Sequence, residues 1–146
     1  MVKAKDTDYV ILDCDYDLED TPSKGLVVKW FFNANEVAYQ WIYGRDPLAG
    51  DITRKYVDLK YKASDDPYTT YRAMKLNKPG IDLTGEYKCV ISTYADEQSA
   101  SSSMVVYCKY PLINGQVITV FYAHLFRFMS DRLSFLLSQL RDFLFF

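Results

Sequence analysis

Two cysteines, a tryptophan and a tyrosine constrain the fold of this chain more than any other feature of its sequence. Cys14 lies in a stretch, residues 9–18, where apolar side chains alternate with acidic ones, and Trp30 lies in a second alternating stretch. Tyr87 stands two residues before Cys89 in a third. Because alternation with a period of two is typical of half-buried strands, these stretches predict two sheets packed face to face.

The same four residues are typical of the immunoglobulin sandwich. In that fold a disulfide joins the two sheets, a tryptophan packs against it, and a tyrosine occupies the corner before the second cysteine. The pattern therefore implies a Cys14–Cys89 disulfide with Trp30 and Tyr87 as core signature residues. Such a bond would remove roughly 4 kcal/mol of unfolded-state entropy. The long gap between the cysteines leaves room for the extra strands of a variable-type domain.

The remaining strands are predicted from shorter alternating runs. They lie at residues 37–43, 57–61, 70–76 and 104–110, while the stretches of Trp30 and Cys89 span 26–33 and 86–94 and a small polar loop follows at 95–103. The turn at 33–36 predicts a hairpin between the Trp30 strand and residues 37–43. We therefore expect an all-β fold, an immunoglobulin-like two-sheet antiparallel sandwich of variable type, over residues 8–110.

Residues 111–146 form an apolar tail of different composition. Seven of the nine phenylalanines lie between Phe121 and Phe146, and no Lys or Glu follows Lys109. From Leu125 onward apolar residues recur at steps of three and four, which predicts an amphipathic helix. Charges divide the tail into runs too short for a membrane span. Two interpretations remain open, a non-native extension or a helix that binds a membrane surface or a partner.

Composition and charge give little support to chemistry on this scaffold. The net charge of -2 provides no basic surface for nucleic acid. The only histidine, His124, lies in the tail, so the sandwich has no Ser-His-Asp or Cys-His pair and no imidazole zinc site. Asp13, Asp15 and Asp17 are expected on a solvated strand face, because the glycine and glutamate of a calcium loop are missing. We expect no enzyme activity, metal or cofactor.

Cysteine use and the first residues of the chain favour different compartments. A disulfide requires an oxidising environment, whereas residues 1–6 lack the apolar region of a secretory signal. We expect an extracellular or cell-surface protein whose leader lies outside this chain. The alternative is a cytosolic sandwich with reduced cysteines. Cys108 is left over, and it is interpreted as a small residue of the last strand or as an intermolecular disulfide.

The sheet face turned away from the disulfide is the candidate binding surface. With Trp30 inward, its neighbour Phe31 points outward, as do Lys88 and Val90 on either side of Cys89. The hairpin strand is expected to add Tyr39 and Trp41. Outward apolar side chains on adjacent strands form a patch, and such patches mark partner proteins. The alternatives are that a helix or the tail covers these side chains, or that Tyr39 and Trp41 turn inward.

Three runs resemble the first immunoglobulin domain of insect beaten path-type cell-surface proteins. These are Cys14–Glu19, Val28–Phe31 and Thr84–Cys89, and the resemblance covers about residues 8 to 110. It implies a variable-type domain that engages another immunoglobulin-superfamily receptor across cells, as in axon guidance. The step from Trp30 to Trp41 also resembles antibody heavy-chain variable domains, where the second tryptophan lines the pairing face.

One departure concerns an ion pair. Many variable-type domains place an aspartate four residues before the corner tyrosine, where this chain has Leu83. Asp82 lies one step earlier, which puts the usual bridge to Arg72 in doubt.

The sequence therefore predicts a recognition or adhesion module that binds another cell-surface immunoglobulin protein. Membrane association through the tail or through a segment outside the chain stays open. The alternatives are an intracellular structural immunoglobulin domain and a truncated product without independent activity.

Overall fold

The computed structural model describes residues 9–18, 22–109, 112–113, 116–117 and 120–126. These residues form ten strands and one short 3-10 helix at Ile81–Leu83. The strands are β1 (Tyr9–Leu12), β2 (Val27–Phe32), β3 (Glu36–Ile42), β4 (Leu48–Ala49), β5 (Met74–Asn77), β6 (Gly85–Ser92), β7 (Glu97–Lys109), β8 (Leu112–Ile113), β9 (Gln116–Val117) and β10 (Val120–Phe126).

Two antiparallel sheets form the two layers of the fold. The larger has the order β10-β7-β6-β2-β3-β4, and the smaller consists of β1 and β5. A disulfide joins Cys14, just after β1, to Cys89 in β6, and their Cα atoms lie 6.3 Å apart. Since it links the two layers, this is the immunoglobulin-like sandwich that the sequence predicts. β8 and β9 pair with each other.

The core lies between the layers and follows the alternation of the strands. Val10 and Leu12 of β1 face Val28, Trp30 and Phe32 of β2, and all five are buried. Trp30 is fully enclosed, and its indole N–H donates to the carbonyl of Arg72 at 3.1 Å. Because a buried polar group needs a partner, this bond lets the ring lie at the centre of the core.

Tyr87 forms the corner between the 3-10 helix and β6. Its hydroxyl donates to the carbonyl of Leu83 at 2.7 Å, and its ring lies 5.1 Å from that of Phe32. Burial raises the pKa of Tyr87 because the phenolate would lose its water. The hydroxyl thus ties the end of the 3-10 helix to the strand that carries Cys89.

The loop predicted over residues 95–103 is wrong for most of its length. Residues 97–103 belong to β7, which runs unbroken from Glu97 to Lys109 and pairs with β6 from Glu97 to Met104. The inward residues Ala100 and Ser102 are small and buried, while the outward Ser99 and Ser103 are exposed. Alternation between Ala and Ser has little hydrophobic contrast, so the period of this strand is hidden in the sequence.

The strand predicted over residues 57–61 is also wrong. Only Val57 makes a bridge, to Leu76 of β5. Beyond it the Asp58 carboxylate accepts the backbone N–H of Lys60 at 3.0 Å, and the N–H of Tyr61 bonds to the carbonyl of Asp58 at 3.2 Å. These local bonds turn the chain out of the extended conformation.

The prediction of a solvated face at Asp13, Asp15 and Asp17 is wrong for Asp13, which is largely buried. Arg72 pairs with both Asp13 and Asp15. Arg72 Nε donates to Asp13 Oδ1 at 2.9 Å, and Nη1 donates to Asp15 Oδ1 at 2.6 Å. The side chains of Arg72 and Asp13 are 15% and 14% exposed. Asp82 instead forms an ion pair with Lys55, whose Nζ lies 3.3 Å from Asp82 Oδ2. Arg72 therefore bridges to the segment just after β1 rather than to the corner before Tyr87, where Leu83 replaces the usual aspartate.

The tail begins as a strand, although the sequence predicted a helix from Leu125. Residues Val120–Phe126 of β10 pair antiparallel with β7, so that His124 lies opposite Val105 and Cys108 lies opposite Phe121. The larger sheet thus continues past residue 110, and β7 is not its edge. The remainder of the helix prediction, residues 127–146, lies outside the described residues. The domain boundary at residue 110 stays a prediction.

Candidate functional site, the outer face of the larger sheet

The outer face is defined here as the side of the larger sheet that points away from the disulfide, across β4, β3, β2, β6 and β7. Register places its residues in rows, because directly opposed residues of paired strands share a face. One row runs from Val37 through Phe31 and Lys88 to Ser101. The next runs through Leu48, Gln40, Lys29, Val90 and Ser99. β2 and β6 are therefore the central strands of the outer face.

Burial differs sharply between the two sides of these strands. The inward side chains of β2, β3 and β6 are buried, and they are Val28, Trp30, Phe32, Tyr39, Trp41, Tyr87, Cys89 and Ile91. None of the outward residues is buried, and they are Val27, Lys29, Phe31, Val37, Gln40, Ile42, Leu48, Glu86, Lys88, Val90, Ser92, Glu97, Ser99, Ser101, Ser103 and Val105. The outer face is thus accessible in the part of the chain that the structure describes.

Two of the predicted binding residues lie on the wrong side of the sheet for that role. Tyr39 is 1% exposed and Trp41 is 2% exposed, and both belong to the core. Tyr39 lies opposite the inward Trp30, and Trp41 lies opposite the inward Val28. Because opposed residues share a face, the outward placement of Tyr39 and Trp41 is wrong.

A bulge in the hairpin explains how this register arises. Trp30 pairs with Tyr39 but the next residue, Phe31, pairs with Val37, which leaves Ala38 as an extra residue in β3. Ala38 and Tyr39 are both buried, so the alternation of β3 shifts by one residue at this point. Val37 lies before the shift and points outward, whereas Trp41 lies beyond it and points inward.

The two inward rings find polar partners inside the sandwich. The Tyr39 hydroxyl donates to the carbonyl of Tyr71 at 2.9 Å, and the Trp41 indole N–H donates to the carbonyl of Arg45 at 3.1 Å. The Trp41 ring packs edge-on against the Tyr71 ring at 5.8 Å. Burial, with a smaller effect of Tyr71, raises the pKa of Tyr39. Both residues therefore belong to the core and are not presented on the outer face.

The other predicted binding residues, Phe31, Lys88 and Val90, lie together on the outer face. Val37 and Leu48 lie there too, at 38% and 61% exposure, although the sequence did not assign them to it. Leu48 falls between the predicted strands at 37–43 and 57–61, while the structure pairs it in β4 with Gln40. Because Pro47 and Gly50 flank Leu48–Ala49, the sequence gives no sign of such a short strand. Only the pairing of β4 with β3 reveals it.

The described residues offer no arrangement suited to metal chemistry. No group of three or more His, Cys, Asp or Glu side chains among them is placed to hold an ion. In the same part of the chain, no helix has the length and apolar character needed to cross a membrane.

Comparison with known proteins yields similarity to solved structures only. No family model matches the chain, and no curated protein matches it. One similar structure comes from work on multimeric cell-adhesive interactions of VGSC beta subunits, with 18% identity, a TM-score of 0.45, and coverage of 64% of this chain and 78% of that one. Another is the amphioxus IgVJ-C2 molecule, with 15% identity, a TM-score of 0.42, and coverage of 80% and 67%.

Proposed function

We propose that this chain is a cell-surface recognition module that binds another immunoglobulin-superfamily protein through the outer face. The observation that carries the proposal is a group of apolar side chains on one sheet surface, of which Val37 and Leu48 are exposed and Phe31, Ile42 and Val90 are partly exposed. Val37, Phe31 and Val90 occupy its centre, and Leu48 and Ile42 extend it along β3 and β4. Accessible apolar patches with polar margins are typical of protein interaction sites.

The scaffold behind this face favours a rigid binding surface. Every outward residue of β2 is flanked by buried residues, among them Trp30 and Phe32, and β6 is joined to the other layer by the Cys14–Cys89 disulfide. A preorganised surface loses little conformational entropy on binding. Phe31 is the candidate anchor, because aromatic side chains near the centre of a patch supply most of the binding energy in many interfaces.

An oxidising location is part of the proposal. The disulfide links the two layers of the fold, and such bonds persist outside the cytosol. The finer assignments, a receptor of the immunoglobulin superfamily as partner and a role in axon guidance, rest on the resemblance of residues 8–110 to beaten path-type domains. The outer face supplies the surface through which this binding would occur.

The test is a binding screen of the full chain against arrayed ectodomains of cell-surface immunoglobulin proteins. The variant F31S/V90S removes two apolar side chains from the centre of the face. The matched control L59S/I81S removes two apolar side chains that are 37% and 62% exposed and lie outside it. We expect the control to keep every interaction that the parent makes, and F31S/V90S to lose it while unfolding at a similar denaturant concentration. Retained binding by folded F31S/V90S would remove the proposal.

A further inference from the structure

Two lysines lie inside the apolar centre of the outer face. Lys29 of β2 lies between Gln40 and Val90, and Lys88 of β6 lies between Phe31 and Ser101. Both are partly buried. Long lysine stems cover apolar surface while the ammonium group stays in water. The two positive charges are therefore held within the patch rather than at its margin.

Neither lysine has a carboxylate partner among the residues that the structure describes. The ion pairs found there involve Arg54, Lys55, Arg72 and Lys75, and all lie away from the outer face. The acids of the face, Glu86 and Glu97, are exposed and lie toward opposite ends of it, in the rows that contain Ser103 and Ser92. The central charge of the face is thus positive and unpaired within this part of the chain.

We infer that the partner presents carboxylates to Lys29 and Lys88 within an apolar surface, and that the partner is not a second copy of this chain. The inference rests on the proposed function, since it specifies the chemistry of what the outer face binds. A buried lysine without a counter-ion is costly, so an interface that covers these two needs acids opposite them.

Like-charge repulsion at the centre of the face disfavours a second copy as the partner. In a symmetric pair each subunit presents the same patch, so the central lysines of one copy approach those of the other. Covering four ammonium groups without carboxylates between them disfavours that arrangement, and repulsion of this kind is a general device against wrong partners. An acidic partner turns the same charges into attraction and speeds association.

The test uses the same array of ectodomains, with this full chain included among them. Variant K29E/K88E reverses both charges of the face. The control K60E/K62E makes the same change in net charge at two exposed lysines in the segment after Val57. For every ectodomain whose binding depends on Phe31 and Val90, we expect K29E/K88E to weaken binding at least about thirtyfold and K60E/K62E to change it by about twofold or less.

Three results would overturn the inference, and they are distinguishable. If F31S/V90S abolishes binding but K29E/K88E does not, the outer face binds a partner without the acidic contacts proposed here. If the full chain binds itself and F31S/V90S abolishes that binding, the occupant is a second copy. If no ectodomain depends on Phe31 and Val90, the proposed function fails and the inference fails with it.

Discussion

Trp30 and Tyr39 lie directly opposite each other across β2 and β3, and both rings point into the sandwich. The Trp30 indole N–H donates to the carbonyl of Arg72, and the Tyr39 hydroxyl donates to the carbonyl of Tyr71, the preceding residue in the chain. The pair therefore fixes which residues of the hairpin belong to the core. Their neighbours Phe31 and Gln40 point to the opposite side and belong to the outer face.

Trp41 is expected to be essential for stability and not for recognition. Replacing this buried residue by alanine should lower the free energy of unfolding by about 3–5 kcal/mol, because it leaves a cavity beside Tyr71. Leu48→Ala, at a residue 61% exposed, should change it by about 0.5 kcal/mol or less. Urea unfolding followed by tryptophan fluorescence and circular dichroism measures both. A Trp41→Ala chain as stable as the parent would contradict the inward placement.

Arg72 should contribute more to stability than an exposed arginine does. Its pKa lies above the usual value because burial, which lowers it, is outweighed by the hydrogen bonds and charges of Asp13 and Asp15. Arg72→Met should cost about 1.5–3 kcal/mol, since two carboxylates lose charged hydrogen bonds. The control is Arg54→Met, whose partner Asp51 is 87% exposed; it should cost below about 1 kcal/mol. Equal costs in denaturant unfolding would argue against the bridge to Asp13 and Asp15.

Asp82 should make a small part of the stability dependent on pH. The Tyr56 hydroxyl donates to it at 2.7 Å, and this bond, with Lys55, holds the pKa of Asp82 below its ordinary value despite some desolvation. A carboxyl with a lower pKa in the folded state stabilises the fold above the unfolded value of 3.8, and that contribution is lost as pH falls through the folded value.

The measurement is urea unfolding of the parent chain and Asp82→Asn at pH 6 and pH 3. The parent should be more stable than the variant at pH 6, and the difference should shrink at pH 3. Tyr56→Phe should reduce the difference as well. A gap between parent and Asp82→Asn that grows toward low pH would show the opposite sign and refute the assignment.

Gly50 is expected to tolerate no side chain. A Cβ atom there would collide with the carbonyl oxygen of Val37, a backbone atom that cannot move aside cheaply. The Gly50 N–H also donates to the carbonyl of Ala38 at 2.8 Å, which draws the chain against the bulge. Gly50→Ala should cost at least about 2 kcal/mol.

Gly44→Ala is the control for that substitution. Its Cβ would meet nothing within 4 Å, and only its φ of +83° opposes a side chain. We expect a cost of about 1 kcal/mol. Thermal or urea unfolding that ranks Gly44→Ala as the more harmful change would contradict the close approach at Gly50.

Thiol titration separates the cell-surface interpretation from the intracellular one. The disulfide uses two of the three cysteines, so only Cys108 should react in the unfolded, unreduced chain. Native protein from its own cells should therefore give about one thiol per chain in denaturant and about three after reduction. Three thiols without reduction would support the reduced, intracellular sandwich.

The amino-acid sequence by itself determined the architecture and most of the core. Cys14, Trp30, Tyr87 and Cys89 each lie where the pattern predicts, and the alternation in residues 9–18 and 26–33 identifies the buried side of both segments. This information is local, because a strand with one apolar and one polar side can be packed in only one orientation. Phe31, Lys88 and Val90 follow from the same rule.

Only the tertiary structure decided the features that depend on how strands pair with one another. The bulge between Trp30 and Phe31 turned Tyr39 and Trp41 inward, and only the register of β3 on β2 reveals it. β7 gains its length by pairing with β6 over residues 97–104 and with β10 over residues 103–109, although Ala and Ser give its first half little hydrophobic contrast. The choice of Arg72 between Asp13 and Asp82 likewise depends on which segments meet in space. Opposed residues share a face only after strands have paired, and no periodicity within one strand contains that information.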